Sequence, residues 1–267
     1  MEIICVGNEL LIGKTLNTNA QWLAKRATTL GITVKRITTV GDDVDEIASA
    51  VREALERKPR FIITTGGLGP TFDDKTLEGI AKALNRKLKL NEKALKMVRE
   101  KYEEYAKARK IDAFEMTPHR VKMARLPEGA EPLPNPVGTA PGVLIKTDRT
   151  DLIALPGVPS EMESIFDEYV AAMLRKEAGE VTFFETSIYA DNIMESTLAP
   201  LIDITMHDNP YVYIKSHPRG AEKKPHIEIH LSTTAKDSKT AKDRIGKAII
   251  QLSELIREKG GKVKLKE

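Results

Sequence analysis

"FIITTGGLGPTFDDKT", residues 61–76, decides the fold. A β-branched, apolar run stops at Gly66, Gly67 and Gly69, and two adjacent aspartates, Asp73 and Asp74, follow at once. An uninterrupted apolar run ending in glycine is the pattern of a strand buried on both faces that feeds a tight turn. The glycines let backbone approach a ligand closely. The helix expected from about Asp74 to Leu84 turns its free N–H groups and positive dipole end toward a phosphate. The aspartates repel that phosphate unless a divalent cation bridges them, and Mg²⁺ commonly takes one or two carboxylates together with substrate oxygens and water. Asp73 and Asp74 are therefore candidate metal ligands, and cleavage of a phosphoanhydride is the matching reaction class. The same two residues could simply start a helix, as acids often do.

Before this stretch the order is strand, helix, strand, helix. "EIICVG" (2–7) and "ITVKRITTVG" (32–41) are apolar or β-branched runs, each followed by a segment of helical spacing, 17–31 and 42–57. The alternation predicts a parallel sheet covered by helices. A long charged helix is expected from Asn91 to about Arg109. Prolines and glycines then crowd 126–159 around the strands "GVLIK" and "DLIAL", and a helix over 160–179 is expected with Ser160 as its cap. After it come strand, helix, two strands joined by the polar turn "RGAEKKP", and a final helix from about Asp237, a β-α-β-β-α order. The expected domains are residues 1–176, a three-layer α/β unit, and 177–267, a small α+β unit.

Composition excludes several classes. The chain has 267 residues, with 42 basic against 39 acidic side chains and a net charge of +3, without the basic excess of a nucleic-acid binder. Cys5 is the single cysteine, so neither an intramolecular disulfide nor a cysteine-based zinc site can form. No apolar stretch reaches the roughly 18–20 residues that span a bilayer, and "MEIICVGNELL" lacks a basic leader region. A cytoplasmic protein is expected.

Ligands of parallel sheets collect at the carboxyl ends of the strands. The other two glycine-bearing strand ends are "GNELLIGKTLNTN" (7–19) and "LPGVPSE" (155–161). Glu9 is a candidate to hold water or act as a base, with a plain surface glutamate as the alternative. Asn17 and Asn19 could reach a ribose or phosphate, and either could cap the helix. Thr71 belongs to the glycine loop. Asn135, Gly138 and Thr139 in "NPVGTAPG" form a candidate ligand-facing loop or a simple turn. Gly157 marks another turn, and Glu161 is a candidate metal or substrate contact. The five histidines are scattered, and none is assigned as a ligand.

Taken in order, "VGNELLIGKTLNTNAQWLA", "TTGGLGPTFDDKT", "NPVGTAPG" and "LPGVPSEM" resemble the CinA family, whose first domain shares the molybdopterin-binding fold of the MoaB, MogA and MoeA proteins. The resemblance covers residues 1–175, and the tail resembles the KH-like module that follows in CinA proteins. It implies a metal-dependent pyrophosphatase acting on ADP-ribose-like nucleotides with Mg²⁺, Mn²⁺ or Co²⁺. The cofactor-synthesis relatives instead bind molybdopterin and adenylylate it. In either case Gly66, Gly67 and Gly69 would hold phosphate or pterin, with Asp74 at the family's essential aspartate. Asp73 stands where MogA-like proteins carry a basic residue, which favours the CinA type. The sequence ends at Glu267, so the nicotinamide-nucleotide amidase activity of longer CinA proteins is not expected. The expected partners are a small nucleotide or pterin and further copies of the chain. No membrane is expected, and nucleic-acid binding is argued against because the tail lacks a G-x-x-G loop.

Overall fold

A computed structural model describes residues 1–108, 114–219 and 226–265. By contact density the chain divides into one unit of residues 1–28 and 32–174 and a second of 29–31 and 175–267. In the first, β1 (Glu2–Val6) leads through a short helix α1 (Asn8–Leu11) to α2 (Thr18–Thr29), β2 (Arg36–Val40), α3 (Val44–Glu56), β3 (Phe61–Thr65) and α4 (Thr76–Ala83). A small ribbon of β4 (Leu88–Leu90) and β5 (Arg125–Pro127) brackets α5 (Glu92–Ala108) and α6 (Pro118–Lys122). β6 (Glu131–Leu133), β7 (Gly142–Lys146) and β8 (Asp151–Leu155) complete the main sheet. α7 (Pro159–Ile165), a π-helical turn over Phe166–Val170 and α8 (Ala171–Ala178) follow.

The sheet order is β2-β1-β3-β8-β7-β6. The first four strands are parallel, and β7 and β6 are antiparallel additions. β1 and β3 are buried at every position, the reason their sequences read as apolar or β-branched runs, with Glu2 at the start of β1 paired to Arg57. Ile4, Val6 and Ile62 share a core with Ile47 and Val51 of α3 and Ile80 of α4. Ile3, Cys5 and Ile63, at the alternate positions, are equally buried, so both faces are covered and the unit has three layers. α3 starts where Asp43 accepts hydrogen bonds from the backbone of Asp45 and Glu46.

Several boundaries differ from expectation. β2 is only Arg36–Val40, and α4 starts at Thr76. The expected long helix starts after Asn91, which caps it through Ala94 N–H at 3.0 Å, and Arg109 lies outside the described residues. Ser160 is not a cap: α7 starts after Val158 with Pro159 in its first turn, where a proline loses no hydrogen bond.

In the second unit, β9 (Thr182–Asp191), α9 (Glu195–Asp208), β10 (Val212–Pro218), β11 (His226–Ala235), α10 (Ser238–Glu258) and β12 (Lys262–Leu265) form an antiparallel sheet of order β10-β11-β9-β12. The expected β-α-β-β-α order therefore gains a last strand. The connectivity is that of a split βαβ, ferredoxin-like unit. Most of the "RGAEKKP" turn, residues 220–225, lies outside the described residues. Ile188, Ile214, Ile229 and Leu231 pack with Leu198, Ile245 and Leu252 of the helices. No described helix is long and apolar enough to cross a membrane.

Candidate active-site cleft

The order of the sheet reverses between β1 and β3, because β2 lies on one side of β1 and the rest of the sheet on the other. A crevice is expected outside the carboxyl ends at such a point. A cleft of about 440 Å³ lies there, lined from all three glycine-bearing strand ends. That is room for a nucleotide-sized ligand.

After β1, the carboxylate of Glu9 folds back on the bare α-carbon of Gly7, where a Cβ would lie 2.4 Å from Glu9 Oε1 and push that side chain aside. Asn8 N–H donates to Asp42 Oδ2 at 2.8 Å, and Asp42 N–H to Asn8 Oδ1 at 3.2 Å. This exchange draws Asp42 into the cleft wall. Asn17 is the helix cap, accepting from Ala20 N–H at 3.0 Å. Its side chain also meets the buried Cys5 thiol, whose pKa is raised by burial and partly restored by that hydrogen bond. Asn19 ties two strand ends together, donating to Thr65 Oγ1 at 3.0 Å and to the Gly157 carbonyl at 2.8 Å. Its own Oδ1 is enclosed and has no partner among the described residues.

The glycine loop is built on itself. Gly66 has φ +106°, and a Cβ there would sit 2.2 Å from the Val6 carbonyl oxygen, so only glycine fits. Thr76, buried at the start of α4, donates through Oγ1 to the Gly66 carbonyl at 2.8 Å and through N–H to the Gly67 carbonyl at 3.2 Å. Thr71 N–H donates to Asp74 Oδ2 at 2.7 Å. The Thr71 hydroxyl lies 2.6 Å from the same oxygen and also against Asp73 Oδ1. It has one hydrogen for two carboxylates. That hydroxyl, then the backbone, then Lys122 and Lys75 hold the Asp73 carboxyl below its ordinary range. By contrast, the N–H groups of Gly67, Leu68 and Gly69, all on the cleft lining, have no acceptor among the described residues. Consecutive free backbone donors of this kind form an anion-binding concavity.

After β8, Gly157 passes close to Gly66, and Glu161 in the first turn of α7 faces the cleft. Glu161 Oε2 accepts from Asn135 Nδ2 at 2.7 Å.

The structure thus brings together Glu9, Asn17, Asn19, Gly66, Gly67, Gly69, Thr71, Asp73, Asp74, Thr139, Gly157 and Glu161 on one cleft. Asn135 and Gly138 are not on it. Asn135 is 4% exposed, and both residues lie behind Glu161, so the ligand-facing assignment is corrected to a supporting one. Asp42 and Thr76 were missed by sequence reasoning. Asp42 was legible by the strand-end rule, since it follows β2 after Gly41.

The lining includes five carboxylates, Glu9, Asp42, Asp73, Asp74 and Glu161, and no lysine, arginine or histidine. Among the described residues no three His, Cys, Asp or Glu side chains converge as a ready metal cage. Asp73 and Asp74 side by side, next to free backbone donors, fit the other mode, in which a divalent cation is shared between one or two carboxylates and a phosphorylated ligand.

The family model described as "Probable molybdopterin binding domain" matches residues 2–176. The crystal structure of the protein CinA, of unknown function, from Thermoplasma acidophilum is 42% identical with a TM-score of 0.58, covering 64% of this chain and 97% of that one. The chain belongs to that family and is of the CinA type. Other relatives match nearly the whole chain. A Sulfurisphaera tokodaii protein is 46% identical over 98% of this chain and 97% of its own length. A Pyrobaculum calidifontis protein is 46% identical over 96% and 95%. In both, the similarity runs through the residues of the second unit as well as the first.

Proposed function

We propose that the cleft hydrolyses the phosphoanhydride of an ADP-ribose-like nucleotide with a divalent metal, Mg²⁺, Mn²⁺ or Co²⁺. One observation carries this: the free N–H groups of Gly67, Leu68 and Gly69 stand beside Asp73 and Asp74 in a cleft whose lining has no cationic side chain. Backbone donors alone compensate a pyrophosphate poorly against five carboxylates, so the anion enters with a cation. Asp74, with Asp73, would hold that cation, which supplies charge neutralisation at the phosphates. The chain's own residues orient the ligand. The loop amides take one phosphate, Thr71 fixes Asp74, and Asn19 fixes the spacing between the ends of β3 and β8. A second possibility, favoured by the family description, is that the same cleft binds or adenylylates a molybdopterin. A homo-oligomer in the cytoplasm completes the proposal, and light scattering of the purified chain reports its assembly.

The deciding experiment is product formation from ADP-ribose, with ATP and NAD for comparison, in Mg²⁺, Mn²⁺ or Co²⁺ and with chelator. AMP formed only with metal is the expected result. Metal-independent turnover would remove the cation from the scheme. No turnover, together with tight pterin binding, would establish the second possibility instead.

A further inference from the structure

We propose that Glu161 is the proton acceptor for the water that attacks the phosphoanhydride, and that the buried Asn135 is its positioning residue. The proposal rests on the hydrolase assignment above and specifies its chemistry. Of the cleft carboxylates, Asp74 takes both Thr71 donors on one oxygen, Asp73 shares the Thr71 hydroxyl, and Asp42 is spent on Asn8 N–H. Glu9 is exposed, with no donor holding its carboxylate among the described residues. Asp42, Asp73 and Asp74 each also keep one oxygen without a partner among the described residues, but Glu161 alone of the five is held by a buried side-chain amide. One of its oxygens is held by a buried amide, and the other, Oε1, has no partner among the described residues.

That amide is fixed in turn. Asn135 Nδ2 donates to the Ala140 carbonyl at 2.8 Å as well as to Glu161, and its Oδ1 accepts from Val137 N–H at 3.0 Å and Gly138 N–H at 2.7 Å. All four of its hydrogen-bonding capacities are used, so the amide cannot turn without losing them. α5 braces the same loop, with Lys101 Nζ donating to the Pro136 carbonyl at 3.1 Å and Tyr105 Oη to the Val137 carbonyl at 3.0 Å. The Glu161 carboxylate packs on the bare α-carbon of Gly138, where a Cβ would lie 2.1 Å from Glu161 Cδ. A carboxylate held this firmly on a cleft wall, with one free oxygen, is the preorganised acceptor that base catalysis needs. In the step, the water oxygen bonds to phosphorus and its proton passes to Glu161 Oε1. The bridging P–O bond breaks, its electron pair leaves with the departing phosphate monoester, and the proton is then released to solvent.

The test measures kcat, KM and the pH profile of kcat for the wild type, Glu161→Gln, Asn135→Ala and the double variant on ADP-ribose. Glu161→Gln is expected to lower kcat by about 10²–10⁴-fold with little change in KM, and to abolish the acid-side fall of the profile. Asn135→Ala is expected to lower kcat by about 10–100-fold with the profile's shape retained. Because Asn135 acts through Glu161, the double variant should be no slower than Glu161→Gln alone. Gly138→Ala, which displaces the carboxylate without touching the amide, should reproduce the kcat loss should Asn135→Ala fail to fold. A Glu161→Gln variant that keeps wild-type kcat, or raises only KM, overturns the base assignment. Multiplicative losses in the double variant overturn the positioning role. A wild type inactive on every phosphoanhydride overturns the hydrolase assignment itself, an outcome separate from either.

Discussion

Carboxylates are handled in opposite ways on the second unit's sheet and in the first unit's cleft. On the second unit's sheet, Asp191 meets His226 at 2.7 Å and Lys264 at 3.1 Å, Glu185 meets His230 at 3.1 Å, and Glu228 meets Arg219 at 2.8 Å. In the first unit's cleft, Glu9, Asp42, Asp73, Asp74 and Glu161 lie together, and none makes an ion pair among the described residues. Pairing across strands satisfies a fold. Like charges gathered on a lining with no cationic side chain, eased at Asp73 by the nearby Lys122 and Lys75, cost stability, and that cost marks the place where a ligand supplies what is missing.

The sharpest way to break the contrast is to neutralise one carboxylate of the cleft. Asp74→Asn keeps an oxygen that can accept from Thr71 N–H, so the loop and the melting temperature should be nearly unchanged. Turnover on ADP-ribose should fall by about 10³-fold, the scale of losing a key charge-stabilising contact. A variant that melts early but still turns over would make Asp74 a loop residue and dissolve the distinction.

Next in size is a change of shape without change of charge. Gly66→Ala would force a Cβ to within 2.2 Å of the Val6 carbonyl oxygen at φ +106°. It should cost about 2–4 kcal/mol of stability in denaturant unfolding. Gly13→Ala, at φ +70° with open space around it, serves as a control expected to cost only about 1 kcal/mol. Equal losses at the two positions would remove the close approach between β1 and the glycine loop as the reason for Gly66.

Smaller again is the effect of Asp191→Asn in the second unit. His226, then Lys264, lowers the pKa of the Asp191 carboxyl. A depressed carboxyl stabilises the folded chain above its unfolded pKa of about 3.9, and that stability is lost as pH falls through the folded value. The variant should therefore be less stable than the wild type at pH 5, by at most about 1 kcal/mol for partners this exposed, and the two should converge as pH falls through the folded value. Its turnover should be unchanged. A gap that persists at low pH would mean Asp191 acts by packing rather than by charge.

How much of this was legible follows burial. β1 and β3 announced themselves because both faces are covered, so every residue is apolar or β-branched except Glu2 at the start of β1, which pairs with Arg57. The glycine loop was legible because glycine's backbone freedom leaves a sequence mark, and Asp73 and Asp74 follow it directly. β12, "KVKL", was missed: four alternating residues after a helix carry little signal, and pairing with β9 alone defines them as a strand. Asn135 was read as facing a ligand because an asparagine between prolines and glycines looks the same whether its amide points outward or, as here, backs another side chain. Asp42 was absorbed into a helix start, the role its neighbour Asp43 performs. Local propensity shows which residues turn the chain, but which of them converge depends on sheet order.

The smallest expected effect tests the cost of the unpaired cluster itself. Glu9 is exposed, makes no ion pair among the described residues and shares the cleft with four other carboxylates. Glu9→Gln removes one charge from that group while keeping the shape that packs on Gly7. If the cleft is held against its own repulsion, the variant should be more stable than wild type by up to about 0.5 kcal/mol in low salt, the range of an exposed substitution. The gain should fade near 1 M salt, where the screening length drops to about 3 Å. The mirror change in the second unit, Glu185→Gln, should lower stability slightly, because it strips His230 of its partner. A destabilising Glu9→Gln, or a gain indifferent to salt, would mean that the cleft carboxylates are not paying an electrostatic cost, and the contrast between the two units would lose its physical basis.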